Sequence, residues 1–256
     1  MAARVARGIQ PADTVSTMRD DVDPAYRPAM PRGQHGVVGS AGEAGSGTGR
    51  GVVRDRVPPG QLVSDDWPVM HYGSVPTFRP DTWDLCVVGA TIDGGSTRWT
   101  YEQVMALPQV DVVADFHCVT KFSRLDNRWT GVRAADIVQA APPDAGVTHV
   151  LVWAERGYSA NLRLSDLLAD DTVFAHAHDG VALTPDHGWP LRLVVPHLYG
   201  WKGPKWVRGF EYLTADRRGF WEQRGYHNVG DPWGEQRYTY QEEPGIHPPV
   251  NQPRDD

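Results

Sequence analysis

Cysteine is scarce in this chain, with only Cys86 and Cys118 among 256 residues and in unlike surroundings. That excludes a disulfide framework and a cysteine-based zinc site, both of which need more thiols at regular spacing. Long apolar runs are missing too: no stretch reaches the roughly eighteen residues that a membrane-crossing helix requires. There is no basic excess. A net charge of −7 argues against a nucleic-acid binder. The opening Met1-Ala2-Ala3-Arg4-Val5-Ala6-Arg7 has positive charge but no apolar segment behind it, and no twin-arginine motif stands out. The expectation is a cytoplasmic protein.

No internal repeat is visible, and composition divides the chain in three. Residues 1–55 are rich in Gly, Ala, Pro, Arg and Asp and bury too little apolar surface to offset chain entropy, so a disordered extension is expected, with Met18 or Met30 as alternative starts. Residues 241–256 read as a loose tail. Between them, 56–240 make one domain of ordinary size. Strands are expected over 83–90, 110–118, 147–155, 158–162, 173–178, 191–195 and 206–213. A helix starts at the capping residue Thr100 and ends before Pro108; others run over 134–141, stopped by Pro142-Pro143, and from Ser165. The fold class is α+β, mainly a β core with short helices.

The chemistry gathers in two segments. In Asp115-Phe116-His117-Cys118-Val119-Thr120-Lys121-Phe122-Ser123-Arg124, a cysteine stands between an apolar strand and a polar, cationic run. The thiolate is the form that attacks carbon or binds a soft metal, and His117, Lys121 and Arg124 are placed to stabilise it. The plainer reading is a space-filling buried thiol, which is how Cys86 reads in its strand. In the segment from His187 to Val207, the strand ends in a Pro- and Gly-punctuated loop with Lys202, Lys205, His197 and Tyr199. Such a loop suits a phosphate or pyrophosphate, although a solvated basic loop has the same composition. Ten tryptophans and nine tyrosines suit a pocket around a large flat cofactor as well as an ordinary aromatic core.

With Trp67-Pro68-Val69-Met70-His71-Tyr72-Gly73 and Gly219-Phe220-Trp221-Glu222-Gln223-Arg224-Gly225-Tyr226-His227-Asn228, these segments resemble the molybdopterin-dependent sulfite oxidase family. They are closest to its small bacterial oxidoreductase branch, related to the catalytic subunit of the periplasmic methionine sulfoxide reductase. The likeness runs from about Val57 to Tyr238. It implies the sulfite oxidase-type fold and a molybdenum-molybdopterin cofactor, with Cys118 as the protein ligand to the metal. A soft thiolate suits a metal that changes oxidation state. By motif position the resemblance assigns His187, Arg192 and Lys205 to the cofactor, with Lys202 and His197 from the same loop, His71 and Tyr72 covering the pterin, and Trp153, Tyr158 and Asn161 near it. It implies two-electron oxygen-atom transfer with water as source or sink, on a small-molecule substrate. Lys121 and Arg124 are the candidates to hold that substrate. Their spacing departs from the sulfite oxidase pattern, and Phe122 and Trp129 make a more apolar rim, so reduction of an S-oxide or N-oxide stands beside sulfite oxidation. The chain carries no haem module, so a separate electron-transfer partner is expected, and a monomer.

Two other classes stay open on sequence. One is a non-catalytic molybdopterin-binding protein. The other is a cysteine hydrolase with Cys118 as nucleophile and His187 or His197 as base, which leaves the cation-rich loop unexplained. His176 and His178 alternate along a strand without a third ligand and read as a solvated sheet face.

Overall fold

The strand-rich centre of the sequence folds into two sheets in a computed structural model that describes residues 55–243. In chain order the elements are β1 (Leu62–Val63), β2 (Asp84–Gly89), β3 (Thr97–Thr100), α1 (Tyr101–Met105), β4 (Val110–His117), β5 (Phe122–Arg133), α2 (Ala134–Ala140), β6 (His149–Ala154), β7 (Ser159–Arg163), α3 (Leu164–Leu167), β8 (Val173–His178), β9 (Val181–Ala182), β10 (Arg192–Val194) and β11 (Val207–Leu213). The six-stranded sheet has the order β1-β5-β8-β10, with β4 on β5 and β9 on β8. The five-stranded sheet runs β3-β2-β11-β6-β7. The α+β class holds. The reading of 1–55 as disordered lies outside the described residues, Asp55 apart, as does the tail beyond Glu243; within 241–243, Gln241 Oε1 accepts the Arg237 and Tyr238 amides.

One apolar core joins the sheets. Leu85 and Val87 of β2, Val150 and Val152 of β6 and Phe210 of β11 meet Val132, Phe174 and Leu193 from the other sheet. Phe174 and Phe210 stack across the seam at 6.2 Å. Full burial of such side chains is worth about 1.5–3 kcal/mol each. The Thr100 capping box, with Gln103 as its partner, starts α1 as expected.

β5 is the element that the sequence did not announce. Its twelve residues, FSRLDNRWTGVR, look like a polar loop, yet it pairs with β1, β4 and β8. The buried face alternates as a strand should, but it includes Ser123 and Asn127, polar residues satisfied by hydrogen bonds instead of apolar contact. Gly131 is required there, because a Cβ would lie 2.0 Å from the Phe174 carbonyl oxygen across a bulge in the β5–β8 ladder.

Candidate active site

β4 carries the chain inward and delivers Cys118 at the head of a tight turn. The Cys118 amide donates to Phe122 O (2.9 Å) and the Lys121 amide to Cys118 O (3.0 Å), with Lys121 in the left-handed region at φ 71°. Gln61 Nε2 donates to the Cys118 carbonyl (3.1 Å), and the Leu62 amide to Lys121 O (2.9 Å), so the turn is pinned from β1. The thiol is buried. Thr120 Oγ1 donates to Cys118 Sγ at 3.2 Å. Burial pushes the Cys118 thiol up; the Thr120 hydroxyl, the Thr120 and Val119 amides and the charge of Lys205 oppose it.

Two cations lie close by, Arg192 and Lys205. Arg192, on β10, is almost wholly buried among the rings of Trp67, Phe116 and Trp129, with centroids 5.3–5.6 Å away. Its Nη1 donates to His187 O (3.1 Å), and its Nε has no partner. Burial lowers its pKa to about 10. Lys205 Nζ donates to the Asp186 carbonyl (2.7 Å), and burial, with Arg192 nearby, lowers its pKa to about 7. Neither side chain forms an ion pair with a carboxylate among the described residues. Gly188, at φ 114°, lets them approach: a Cβ there would stand 3.0 Å from Arg192 Cβ and 3.3 Å from Lys205 Cβ.

Lys202 is the contrast. It is as buried as Arg192, but its three N–H donors go to Glu222 Oε1 (2.7 Å), Asn161 Oδ1 (2.8 Å) and Asn228 O (2.9 Å). Lys202, expected at the cofactor, is held in a buried ion pair with Glu222, and Asn161 belongs to the same network. Charged groups are almost never fully buried unless paired. Arg192 is buried without such a partner among the described residues, and the partly buried Lys205 stands near it.

Aromatic residues wall it. Trp67 stacks on His187 at 3.9 Å between ring centroids, and the His187 Nε2 lies 3.2 Å from Trp67 O. The other ring nitrogen faces Thr184 Oγ1 at 3.0 Å. Burial lowers the His187 pKa, favouring the neutral ring. His71 is exposed, holds Gly73 O at 2.9 Å and sits edge-on to Trp206. Tyr72 packs on Phe220 (4.9 Å), which also meets Tyr158 (5.7 Å). Burial raises the Tyr158 phenol well above its usual value, and its hydroxyl donates to Trp201 O. A cavity of about 210 Å³ is lined by Phe78, Trp83, Trp189, Pro190 and Trp206, with Glu155 and Arg208 ion-paired at its side.

Other predicted residues have partners of their own. Arg124 donates to Asn127 Oδ1, to His178 Nε2 (2.9 Å), to Asp179 Oδ2 (2.8 Å) and to Asp65 O (3.3 Å). His197 is tied to Asp166 on α3 at 3.2 Å. His178 is not on a solvated face; it is buried between Trp67 (4.3 Å) and Trp129 (4.5 Å), and burial pushes its pKa down to about 4. No histidine hydrogen-bonds Cys118 Sγ among the described residues, so the nucleophile–base pair of a cysteine hydrolase is not formed. Trp67, Thr120 and Gln61 went unassigned in the sequence. Only Trp67 carried a signal, the Trp-Pro pair just ahead of His71.

The family profile described as the oxidoreductase molybdopterin binding domain matches residues 72–221. The uncharacterized oxidoreductase YuiH of Bacillus subtilis (strain 168) is 46% identical over 72% of this chain and 93% of its own length. A putative protein-methionine-sulfoxide reductase subunit, YedZ1 of Azospira oryzae, is 28% identical over 67% of this chain and 66% of its own length. Sulfite oxidases of animals and plants match over less than half of theirs. Among solved structures, the sulfane dehydrogenase SoxCD of Paracoccus pantotrophus aligns at a TM-score of 0.51 and 18% identity, over 57% of this chain and 41% of that one.

Proposed function

Since this chain belongs to the family of molybdopterin-binding oxidoreductases that includes the sulfite oxidases, we propose that it transfers an oxygen atom to or from a small sulfur- or nitrogen-oxide substrate, with Cys118 ligating molybdenum. The cofactor is molybdenum-molybdopterin, and the residues present fit it. A soft sulfur shares the site with Arg192, a buried cation, and Lys205, a partly buried one, neither of them ion-paired with a carboxylate among the described residues. The group brings the missing negative charge in its dithiolene and phosphate. That unpaired charge is the single observation that carries the reading. When bound, the cofactor supplies two-electron exchange coupled to oxygen-atom transfer, with water as source or sink.

The rest falls to the chain. Cys118 gives up its proton, and the Thr120 hydroxyl and turn amides hold the negative sulfur. Arg192 offers a planar fork to oxyanions and Lys205 a point charge. His187, held against Trp67, keeps the wall of the pocket rigid and dry. The Trp-lined cavity, with the Glu155 carboxylate at its side, suits the flat bicyclic end of a pterin. With Arg124 committed to Asn127, His178 and Asp179, a neutral S-oxide or N-oxide stands as well as the sulfite dianion among the substrates. Electrons pass to or from a separate partner, and we place the protein as a monomer in the cytoplasm.

The test is metal and pterin analysis of protein made in a host that synthesises the cofactor, followed by turnover with dimethyl sulfoxide, trimethylamine N-oxide and sulfite. One molybdenum and one pterin per chain, lost from the metal side in Cys118→Ala, support the assignment. A folded protein with neither overturns it, and a loaded protein inert to all three leaves the binding-only alternative in place.

A further inference from the structure

Among the described residues there are two methionines, Met70 and Met105, each partly exposed. Their settings differ. Met105 ends α1. Met70 lies in the loop with Trp67 and His71, and its Sδ is 4.0 Å from Thr120 Oγ1. That hydroxyl is the one that donates to Cys118 Sγ at 3.2 Å. The Thr120 hydroxyl thus serves the site thiol and has a second, weak thioether acceptor 4.0 Å away.

We propose that Met70 is an oxidation site whose state is read at Cys118 through Thr120. Hydrogen peroxide reaching the partly exposed thioether breaks its O–O bond: one oxygen joins Met70 Sδ, which gives up two electrons, and the other leaves as water. The product sulfoxide is polar and carries a strong acceptor oxygen. Bound to a sulfur already 4.0 Å from the Thr120 hydroxyl, that oxygen falls within hydrogen-bond reach. The hydroxyl has a single hydrogen to donate, so it turns to the sulfoxide and leaves Cys118 Sγ without its side-chain donor. Groups that hydrogen-bond a metal ligand tune the metal, so the change is felt at the centre. A dithiol-dependent methionine sulfoxide reductase reverses it by returning two electrons and releasing the oxygen as water.

This rests on the proposed ligation by Cys118 for its effect on the metal, but not for the oxidation itself. The experiment treats loaded wild type, Met70→Leu and Thr120→Val with hydrogen peroxide, and follows peptide masses and the cysteinate-to-metal absorption band. Met70 is expected to gain one oxygen at a rate different from Met105 by at least about fivefold, the thioether beside a polar, charged pocket being the faster. The band is expected to shift in wild type in step with that mass change. It stays in place in Met70→Leu, and in Thr120→Val even though Met70 still oxidises. Equal rates for the two methionines, or a shift that survives in Thr120→Val, overturns the proposal. If the band is absent from every variant, the ligation reading fails. The proposal is then decided on cofactor-free protein by the alkylation rate of Cys118, which must fall on Met70 oxidation in wild type and not in Thr120→Val.

Discussion

Trp67 and His187 form a two-point clasp: the rings stack at 3.9 Å and the His187 Nε2 lies 3.2 Å from the Trp67 carbonyl. The carbonyl belongs to the loop before the domain's first long strand, and His187 to the turn before β10. The clasp therefore fixes one wall of the cation pocket. Trp67→Ala is expected to cost about 3 kcal/mol in urea unfolding of the cofactor-free protein and to lower molybdenum content. Trp67→Phe, which keeps a ring on His187, should recover most of both. Full metal content in Trp67→Ala would show that the wall stands without it.

Lys205 makes the cofactor-free protein sensitive to alkali in an unusual direction. Its pKa is about 7 in the folded chain against an ordinary 10.5. Between those values the unfolded chain holds a proton that the folded chain has released, so stability rises with pH across that window, by at most about 1.4 kcal/mol per pH unit. Below pH 7 the burial penalty is present in full. Lys205→Met should flatten the rise and be more stable than wild type at pH 7, while losing cofactor. Denaturant midpoints at pH 7 and 9 read the difference, and a rise of the same size in the variant would remove Lys205 as its source.

Lys202 answers the opposite question. Because its partner Glu222 is buried with it, Lys202→Met leaves an uncompensated carboxylate and should cost about 3–5 kcal/mol without any cofactor present. The double variant Lys202→Met/Glu222→Leu should regain most of that. If Lys202→Met unfolds at the wild-type midpoint but fails to load, its ammonium serves the cofactor after all.

Arg124 and Lys121 separate by kinetics. Arg124→Gln breaks the cluster of Asn127, His178 and Asp179 and should cost about 2 kcal/mol of stability, with KM for an anionic substrate unchanged. Lys121→Gly suits the left-handed φ of 71° and should raise that KM instead, with the fold intact. Equal KM changes in both would return Arg124 to the substrate.

The main features of the site were legible because its chemistry is rare in the sequence. One of two cysteines, and an arginine and a lysine around a Pro- and Gly-rich loop, are the groups that the structure gathers, and the α+β class followed from strand-length apolar runs. What was hidden depends on partners. β5 conceals its alternation because its buried face uses Ser123 and Asn127. Arg124 looks like a site residue until Asp179, over fifty positions away, is seen to hold it. Lys202 and Lys205 lie three positions apart, yet one is fully buried against Glu222 and the other is partly exposed and bonded to a backbone carbonyl. No local pattern distinguishes a cation with a buried counter-charge from one without.

Arg192 stands on β10 of the six-stranded sheet, whereas Lys205 leads into β11 of the five-stranded one, and the Leu193 and Val207 amides cross-bond the two segments at 2.9 Å. An anion gripped by both side chains therefore acts as a rivet through the seam between the sheets. Each half of the domain contributes one side of the grip, and neither can let go alone. Such a grip would add, to the apolar contact and backbone bonds that already join the two layers, a tie that only the anion supplies.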